Sequence, residues 1–493
     1  MGTSPGRKKN GEGGVSVEYG TVKALHAIAE RIGLMDIINQ AAPKRNGLPV
    51  GELAFIMAAN RILDPRPKYT IAEWYQRTYL PELVGVDLPP DSAYQTLTRC
   101  LDYLTDDVQM EVEMALAARV MESFHLKPES FIYDVTSTFV EGEGGAEILQ
   151  YGYSRDHRPD CRQVNYSLCV TMHPTVPLFH QAFPGNTVDS KTVKETMVRF
   201  KDKLGLDGCL VVDRGIVTSA NIVEIVDERE LDLVGGLRMD RRFRAFALKT
   251  SLKSFGRSFT LKDEALQAKE FRVDIGGNDR RCILYFSEAK AERDKKSREL
   301  RLAKARQWLD EIAASLTRKG AGRKPTRNGI ERRIVLLLEK SHCERLIDWR
   351  LVGGRGGRRL KWELNQAVLK EEEILDGRYW LVTTLDDSPK EVLDTYRSRD
   401  AVERGFRITK ETIKIRPIWN RTEQHIKAHL FVCFIAYLLY SLLEIEARKE
   451  ISGITGTKAL DRLRKFMERA TRPRYMTPTG EDLALLSRVS RVR

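Results

Sequence analysis

Tyr396, Arg399, Glu403 and Lys410 fall in one short run, YRSRDAVERGFRITK. At a helical period of about 100° per residue, these four side chains share an arc of roughly 60° on one helix. Val402, Phe406 and Ile413 form an apolar stripe beside that arc, suited to pressing the helix onto a sheet. Most charged helices are simply solvated and laced with (i, i+4) ion pairs. Here one carboxylate keeps company with a phenol, a guanidinium and an ammonium. Arg399 and Lys410 could meet a phosphate within one or two turns of Glu403, and Tyr396 could hydrogen-bond the same backbone. A single Glu cannot hold a catalytic metal, so it needs acidic partners from elsewhere in the chain.

Two elements can supply them. FIYDVTSTFV (131–140) is β-branched and aromatic with period two, so Asp134 and Thr136 face opposite to Phe131, Tyr133 and Val135. An aspartate in the middle of a core strand is costly unless it is solvated, paired or bound to metal. CLVVDRG (209–215) is a short apolar run of the buried parallel type, ending on Asp213. Oxygen ligands suit hard cations such as Mg²⁺. Two such ions about 3.5–4 Å apart activate the attacking oxygen and stabilise the leaving one in phosphoryl transfer. Arg214, directly after Asp213, could contact DNA or pair with a carboxylate, and pairing is the preferred reading.

The bulk numbers agree with a polyanionic substrate. The chain has 493 residues, with 82 Lys and Arg against 69 Asp and Glu, for a net charge of +13. Such a surplus points to nucleic acid and leaves the fold open. From Ile451 onward there are 10 basic and 4 acidic residues. Seven cysteines without a C-x-x-C pair or zinc spacing fit a reducing compartment. No apolar signal opens the chain. Leu430–Leu443 is too short to span a bilayer, which takes about 20 residues, and reads as a buried core helix. A cytoplasmic protein associated with the bacterial nucleoid, and no membrane partner, is expected.

In order along the chain, residues 1–18 read as a disordered basic arm and 19–128 as a helical DNA-binding domain, broken at Pro43, Pro49, Pro65 and Pro89–Pro90. Residues 129–237 follow the order βββαβαβ. Strands are expected over 131–140, 165–172 and 177–185, then a helix over about 190–204 capped by Asp189, the strand ending at Asp213, a helix over 219–228 and a strand over 231–237. Three antiparallel strands followed by parallel ones is the plan of a ribonuclease-H-like mixed sheet flanked by helices, a fold-level analogy. Residues 238–385 read as a β-rich insertion with a charged helical arm, in which FRAFAL and RRIVLLLE are taken as strands. The core resumes over 386–448, and 449–493 forms a basic tail.

The residues now assembled resemble the DDE transposases of bacterial insertion sequences. The branch concerned has the signature Y-x2-R-x3-E-x6-K, matched by Tyr396, Arg399, Glu403 and Lys410 without departure. FIYDVTST and VVDRG are similar to the first- and second-aspartate strands of that branch. The resemblance implies Asp134, Asp213 and Glu403 as catalytic ligands of two Mg²⁺ ions, with Mn²⁺ able to substitute. It also implies Tyr396, Arg399 and Lys410 as contacts to transposon-end phosphates. Trp380 in RYWLVTT matches a base-stacking position of hairpin-forming relatives, with core packing as the other reading. GYSRDHRPDCRQ (152–163) resembles a segment near the active site, where His157 and Asp156 would position other groups. The implied activity is binding of terminal inverted repeats, cleavage at the element ends and joining of the 3′ hydroxyl to target DNA, by a homodimer on double-stranded DNA. A catalytically silent DNA-binding descendant and a nuclease without strand transfer are the alternatives.

Overall fold

The structure, a computed structural model, describes residues 16–141, 145–317, 326–354, 358–469 and 480–490. The expected arm over 1–18 falls outside them except for its last three residues. Those three form strand β1 (Ser16–Glu18), contrary to the disorder expected there. Residues 318–325 of the Gly/Arg/Lys loop, and 470–479 and 491–493 of the basic tail, also lie outside the described residues. The chain divides into two units, one reaching Leu233 and resuming at Thr395, the other Val234–Asp394.

In the first unit, helices α1 (Gly20–Arg31), α2 (Leu34–Ala41), α3 (Val50–Leu63), α4 (Ile71–Tyr75), α5 (Leu80–Val84), α6 (Pro90–Tyr103) and α7 (Asp106–Ser123) come first. Proline sets two of the starts, preceding α3 at Pro49 and α6 at Pro89. The Thr105 hydroxyl caps α7 by accepting from the Val108 N–H. Strands β2 (Ser130–Phe139), β3 (Gln163–Thr171) and β4 (Pro177–Pro184) then form an antiparallel meander. α8 (Val193–Met197) runs on through wider π-type turns to Lys203. β5 (Cys209–Val212) joins β2 in parallel, and α9 (Ser219–Ile222) also widens, to Glu228. The strand order in this unit is β4-β3-β2-β5.

β6 (Asp232–Leu237) leads into the second unit, which contains α10 (Arg241–Lys249), β7 (Phe259–Leu261), β8 (Glu264–Ile275), β9 (Asn278–Ser287), α11 (Glu288–Thr317), α12 (Arg327–Ser341), β10 (Ile347–Val352), β11 (Arg359–Leu364), α13 (Gln366–Leu375) and β12 (Arg378–Thr383). Its strands run β6-β12-β9-β8-β7, with β10 and β11 as a separate antiparallel pair. Two segments expected as strands are helices. FRAFAL lies in α10, started by the Asp240 carboxylate accepting from the Phe243 N–H, with Phe243 and Ala247 buried four residues apart. RRIVLLLE lies in α12, capped by Thr326 and buried at Ile330, Ile334 and Leu338. Both runs are too short to distinguish period two from period 3.6 by apolar content alone.

α14 (Pro389–Arg397) leads back into the first unit, followed by α15 (Asp400–Arg407), α16 (Glu423–Glu450), α17 (Gly456–Leu463), β13 (Met467–Arg469) and α18 (Gly480–Val489). β13 pairs antiparallel with β1. α16 is the one described helix long and apolar enough to cross a membrane, and 94% of its most apolar stretch is buried inside the fold. α1, α3, α6 and α7 pack on it, and so does β4. The helices expected as a separate N-terminal domain therefore share one unit and one core with the β2–β5 sheet.

Candidate active site

The β2–β5 pairing places two acids side by side. Tyr133 lies opposite Val212 in parallel register, so the next residues, Asp134 and Asp213, occupy matching heights on adjacent strands. Neighbouring strands are about 4.8 Å apart. Asp134 sits among Tyr133, Val135 and other buried side chains, and its Oδ1 accepts from the Val135 N–H at 2.8 Å. Burial pushes its carboxyl up to about 7; Asp213 and Asp189 add to the rise, while the Val135 N–H and Arg155 oppose it. Asp213, just past the end of β5, has a side chain 40% exposed.

The glutamate arrives on two helices rather than one. The expected continuous helix breaks at Ser398–Arg399, between α14 and α15. There the backbone switches to three-residue bonds: Ser398 N–H to Thr395 O at 3.2 Å, and Arg399 N–H to Tyr396 O at 3.3 Å. The break turns both flanking side chains onto Asp213. The Tyr396 hydroxyl donates to Asp213 Oδ1 at 3.3 Å, and Arg399 Nη1 donates to the same oxygen. Arg399 Nη2 lies 3.8 Å from Glu403 Oε1, and its guanidinium stacks 5.0 Å from the Tyr396 ring centroid. Burial works against the Arg399 charge, but Tyr396, Asp213, Glu403 and Asp134 together hold its ionisation above the ordinary value. Burial likewise lifts the Tyr396 phenol to about 12. Glu403 is 52% exposed and faces solvent.

The predicted apolar stripe does dock this segment. Val402, Phe406 and Ile413 are buried, and α15 packs on β2 and β3, with Phe406 edge-on to Tyr166 of β3 at 6.3 Å. Gly405 lets α15 approach α16: a Cβ there would lie 2.6 Å from the Tyr437 hydroxyl and 3.0 Å from its Cζ.

Lys410 does not join Asp213 but meets β2 beside Asp134. It lies in the wider turns after α15 (Ile408–Thr412), and its Nζ donates to Thr136 Oγ1 and to Asp156 Oδ1, both at 2.8 Å. Burial draws the ammonium below its usual range, and Asp156 opposes that. Arg214 is exposed within electrostatic reach of Tyr396, and among the described residues no carboxylate pairs with it as preferred from sequence. His157 is exposed within the 152–163 segment, with φ +56°. Trp380 is 1% exposed in β12 of the second unit, packed against Phe243 and Phe271 with ring centroids 5.2 and 5.1 Å away. Its position is that of a core residue of that unit. Asp189, expected as a helix cap, instead starts a 3₁₀ turn, and its carboxylate accepts from Arg155 Nη2 at 2.5 Å. Thr136, Asp189 and Arg416 are not singled out in the sequence as members of the site, because each joins it through tertiary contacts, whereas Asp156 is marked there only through the family resemblance of its segment.

Among the described residues, no three His, Cys, Asp or Glu side chains gather closely enough to form a ready metal cage. What is assembled is a pair of adjacent aspartates, with Glu403 joined to Asp213 through Arg399. The donor set is entirely carboxylate oxygen, which fits a hard divalent cation and excludes the soft thiolate sites.

An antiparallel trio followed by a parallel strand, with acids on the strand where the two pairings meet, past its parallel neighbour and on a docked helix, follows the plan of a ribonuclease-H-like fold. Residues 127–439 match the family described as Transposase DDE domain, and the chain belongs to that family. Members of this family generally use divalent metal ions. No curated protein sequence matches the chain. Among solved structures it is similar to the piggyBac transposase synaptic complex with hairpin DNA, determined by cryo-EM. The TM-score is 0.42 at 10% identity, covering 91% of this chain and 80% of that one.

Proposed function

We propose that the chain is an insertion-sequence transposase that binds the terminal inverted repeats of its element, hydrolyses the phosphodiester at each 3′ end and joins the freed 3′ hydroxyl to target DNA. The observation that supports this reading is the pair Asp134 and Asp213 on adjacent strands, with Glu403 linked to Asp213 through the Arg399 guanidinium. Asp134, Asp213 and Glu403 would hold two Mg²⁺ ions, which supply Lewis-acid stabilisation of the charge that develops in phosphoryl transfer.

The chain's own groups have separate tasks. Asp134 is held rigidly in mid-strand, so it defines where the reacting phosphate can lie. Arg399 neutralises Asp213 in the free protein and, in the DNA complex, turns its donors to a phosphate oxygen, with Tyr396 beside it. In hydrolysis, water adds to phosphorus as the bond to the 3′ oxygen breaks, and that oxygen leaves as the 3′ hydroxyl. In joining, the same hydroxyl is the nucleophile, and a target 3′ oxygen leaves. Two copies acting on two ends, with the N-terminal helices contacting DNA, complete the proposal.

Asp213→Asn and Glu403→Gln test it, in a cleavage assay on a duplex carrying the inverted repeat that brackets the coding sequence, with Mg²⁺. Each is expected to lower cutting by at least about a thousandfold. Undiminished cutting by either variant overturns the proposal. A product that is nicked but never joined would reduce it to a nuclease.

A further inference from the structure

The connection from β2 to β3 carries one acid to which the proposed chemistry gives no task. Asp156 lies in a segment whose neighbours Tyr153 and His157 are exposed, yet its own side chain is only 2% exposed. Its Oδ1 accepts from Lys410 Nζ at 2.8 Å and also meets Arg416 Nη1, while Oδ2 is buried without a hydrogen-bond partner. An acid buried in this way is costly unless its charge is matched. Here two cations share one oxygen, so the pairing leaves a net positive charge in place.

The position of that charge is closely defined. The Lys410 ammonium, 11% exposed, also donates to Thr136 Oγ1 at 2.8 Å. Thr136 is two residues from Asp134 and therefore on the same face of β2. A lysine needed only for surface charge would extend its head into water and require no buried acceptor. Arg155, next to Asp156, is drawn to Asp189 instead and does not compete for the carboxylate.

We infer that Asp156 is a positioning residue: its buried carboxylate holds the Lys410 ammonium, with Arg416 beside it, one pleat along from Asp134, where a phosphate of the reacting strand would lie. The inference rests on the phosphoryl-transfer reading above. It assigns the acid no contact with DNA or metal; it acts through Lys410.

A double-mutant cycle on the full chain separates this role from a merely structural one. Cleavage of the inverted-repeat duplex is measured with Mg²⁺ at saturating protein, and melting is followed in parallel. Asp156→Asn and Lys410→Ala are each expected to slow cutting at least about tenfold, and the double variant is expected to be no slower than Lys410→Ala alone. Losses that multiply, or an Asp156→Asn protein that cuts normally, overturn the inference. Should Asp156→Asn fail to fold, Asp156→Glu keeps the charge but displaces the oxygen. It should melt like the wild type and still cut several-fold more slowly, with no further loss in the Lys410→Ala background. Normal cutting by Asp156→Glu overturns the inference. A wild-type protein that cuts no end overturns the proposed function itself, and this inference with it, whereas multiplied losses in an active wild type overturn the inference alone.

Discussion

Asp134 and Asp213 stand at matching heights on neighbouring parallel strands, one half-buried within its strand and the other partly open to solvent past the end of its own. Placing two acids this close has a measurable consequence before any substrate arrives. Burial first, and Asp213 second among the groups that raise it, hold the Asp134 carboxyl at about 7. The unfolded chain would ionise it near 3.8. The folded protein therefore binds the extra proton between those values, and the associated stability is complete below the lower one and lost as pH rises through the upper.

Metal-free protein is accordingly expected to become less stable between about pH 4 and pH 7, by on the order of 2 kcal/mol after allowance for solvent at the exposed edge. Asp134→Asn should flatten this slope, and Mg²⁺ should raise the melting temperature most above pH 7. Melting curves across pH, with and without the cation, check both. An unchanged slope in Asp134→Asn would show that the acid is not the source.

Arg399 bridges Asp213 and Glu403 and feels Asp134 as well, so it is the counter-charge built into the site. Arg399→Ala should leave the acids facing one another with nothing between them. Mg²⁺ is then expected to stabilise the variant more than the wild type, while end cleavage falls by about a hundredfold or more. Thermal shifts over a Mg²⁺ titration, paired with cleavage rates, read the two effects separately. An equal cation response in both proteins would argue against Arg399 as the balancing charge.

The sheet was legible in the sequence because its information is local and long. Ten residues of β2 are rich in aromatic and β-branched side chains, and the four-residue apolar run of β5 has the length of a buried strand. α15 was legible as an apolar stripe. The break at Ser398–Arg399 was not, since a helical wheel assumes the continuity it is used to infer. It changes the site's geometry: Tyr396 and Arg399 turn onto Asp213, and Lys410, in the wider turns after α15, meets Thr136 and Asp156 instead of sharing the face of Tyr396 and Arg399. Asp189 has the composition of a cap, and a tertiary partner, Arg155, outcompeted that local role. Trp380 carried two readings on one strand, and only its packing against Phe243 and Phe271 distinguishes them.

Gly405 is where the glutamate helix approaches α16 on its Tyr437 side, beside the Arg404–Glu444 ion pair. A methyl group there would meet the Tyr437 hydroxyl and ring, and Tyr437 is buried and unable to move aside freely. Gly405→Ala is expected to cost about 1–3 kcal/mol by overpacking and to lift Glu403 away from Asp213. Cleavage should fall more steeply than stability alone would explain. Urea unfolding and cleavage at a temperature where the variant is fully folded distinguish displacement from simple unfolding. Full activity in the folded variant would mean that α15 tolerates a looser seat.

A second buried ionic group ties the N-terminal helices to the sheet. Glu113 of α7 accepts from the His180 backbone N–H of β4 at 3.0 Å and from Arg199 Nη1 at 3.0 Å, and it also meets the His180 ring. His180 in turn stacks on Phe431 and Phe434 of α16, with ring centroids 5.9 and 5.3 Å away. Glu113→Gln keeps an acceptor for His180 but removes the charge that balances Arg199, leaving a largely buried guanidinium uncompensated. A loss of about 2–4 kcal/mol in urea unfolding is expected. Adding Arg199→Met should recover at least half of it, because the remaining cost is that of an unpaired cation and not of a missing hydrogen bond. If the second substitution makes matters worse, Arg199 contributes through its bond to the His180 carbonyl at 2.9 Å, and the pair is not acting as a unit.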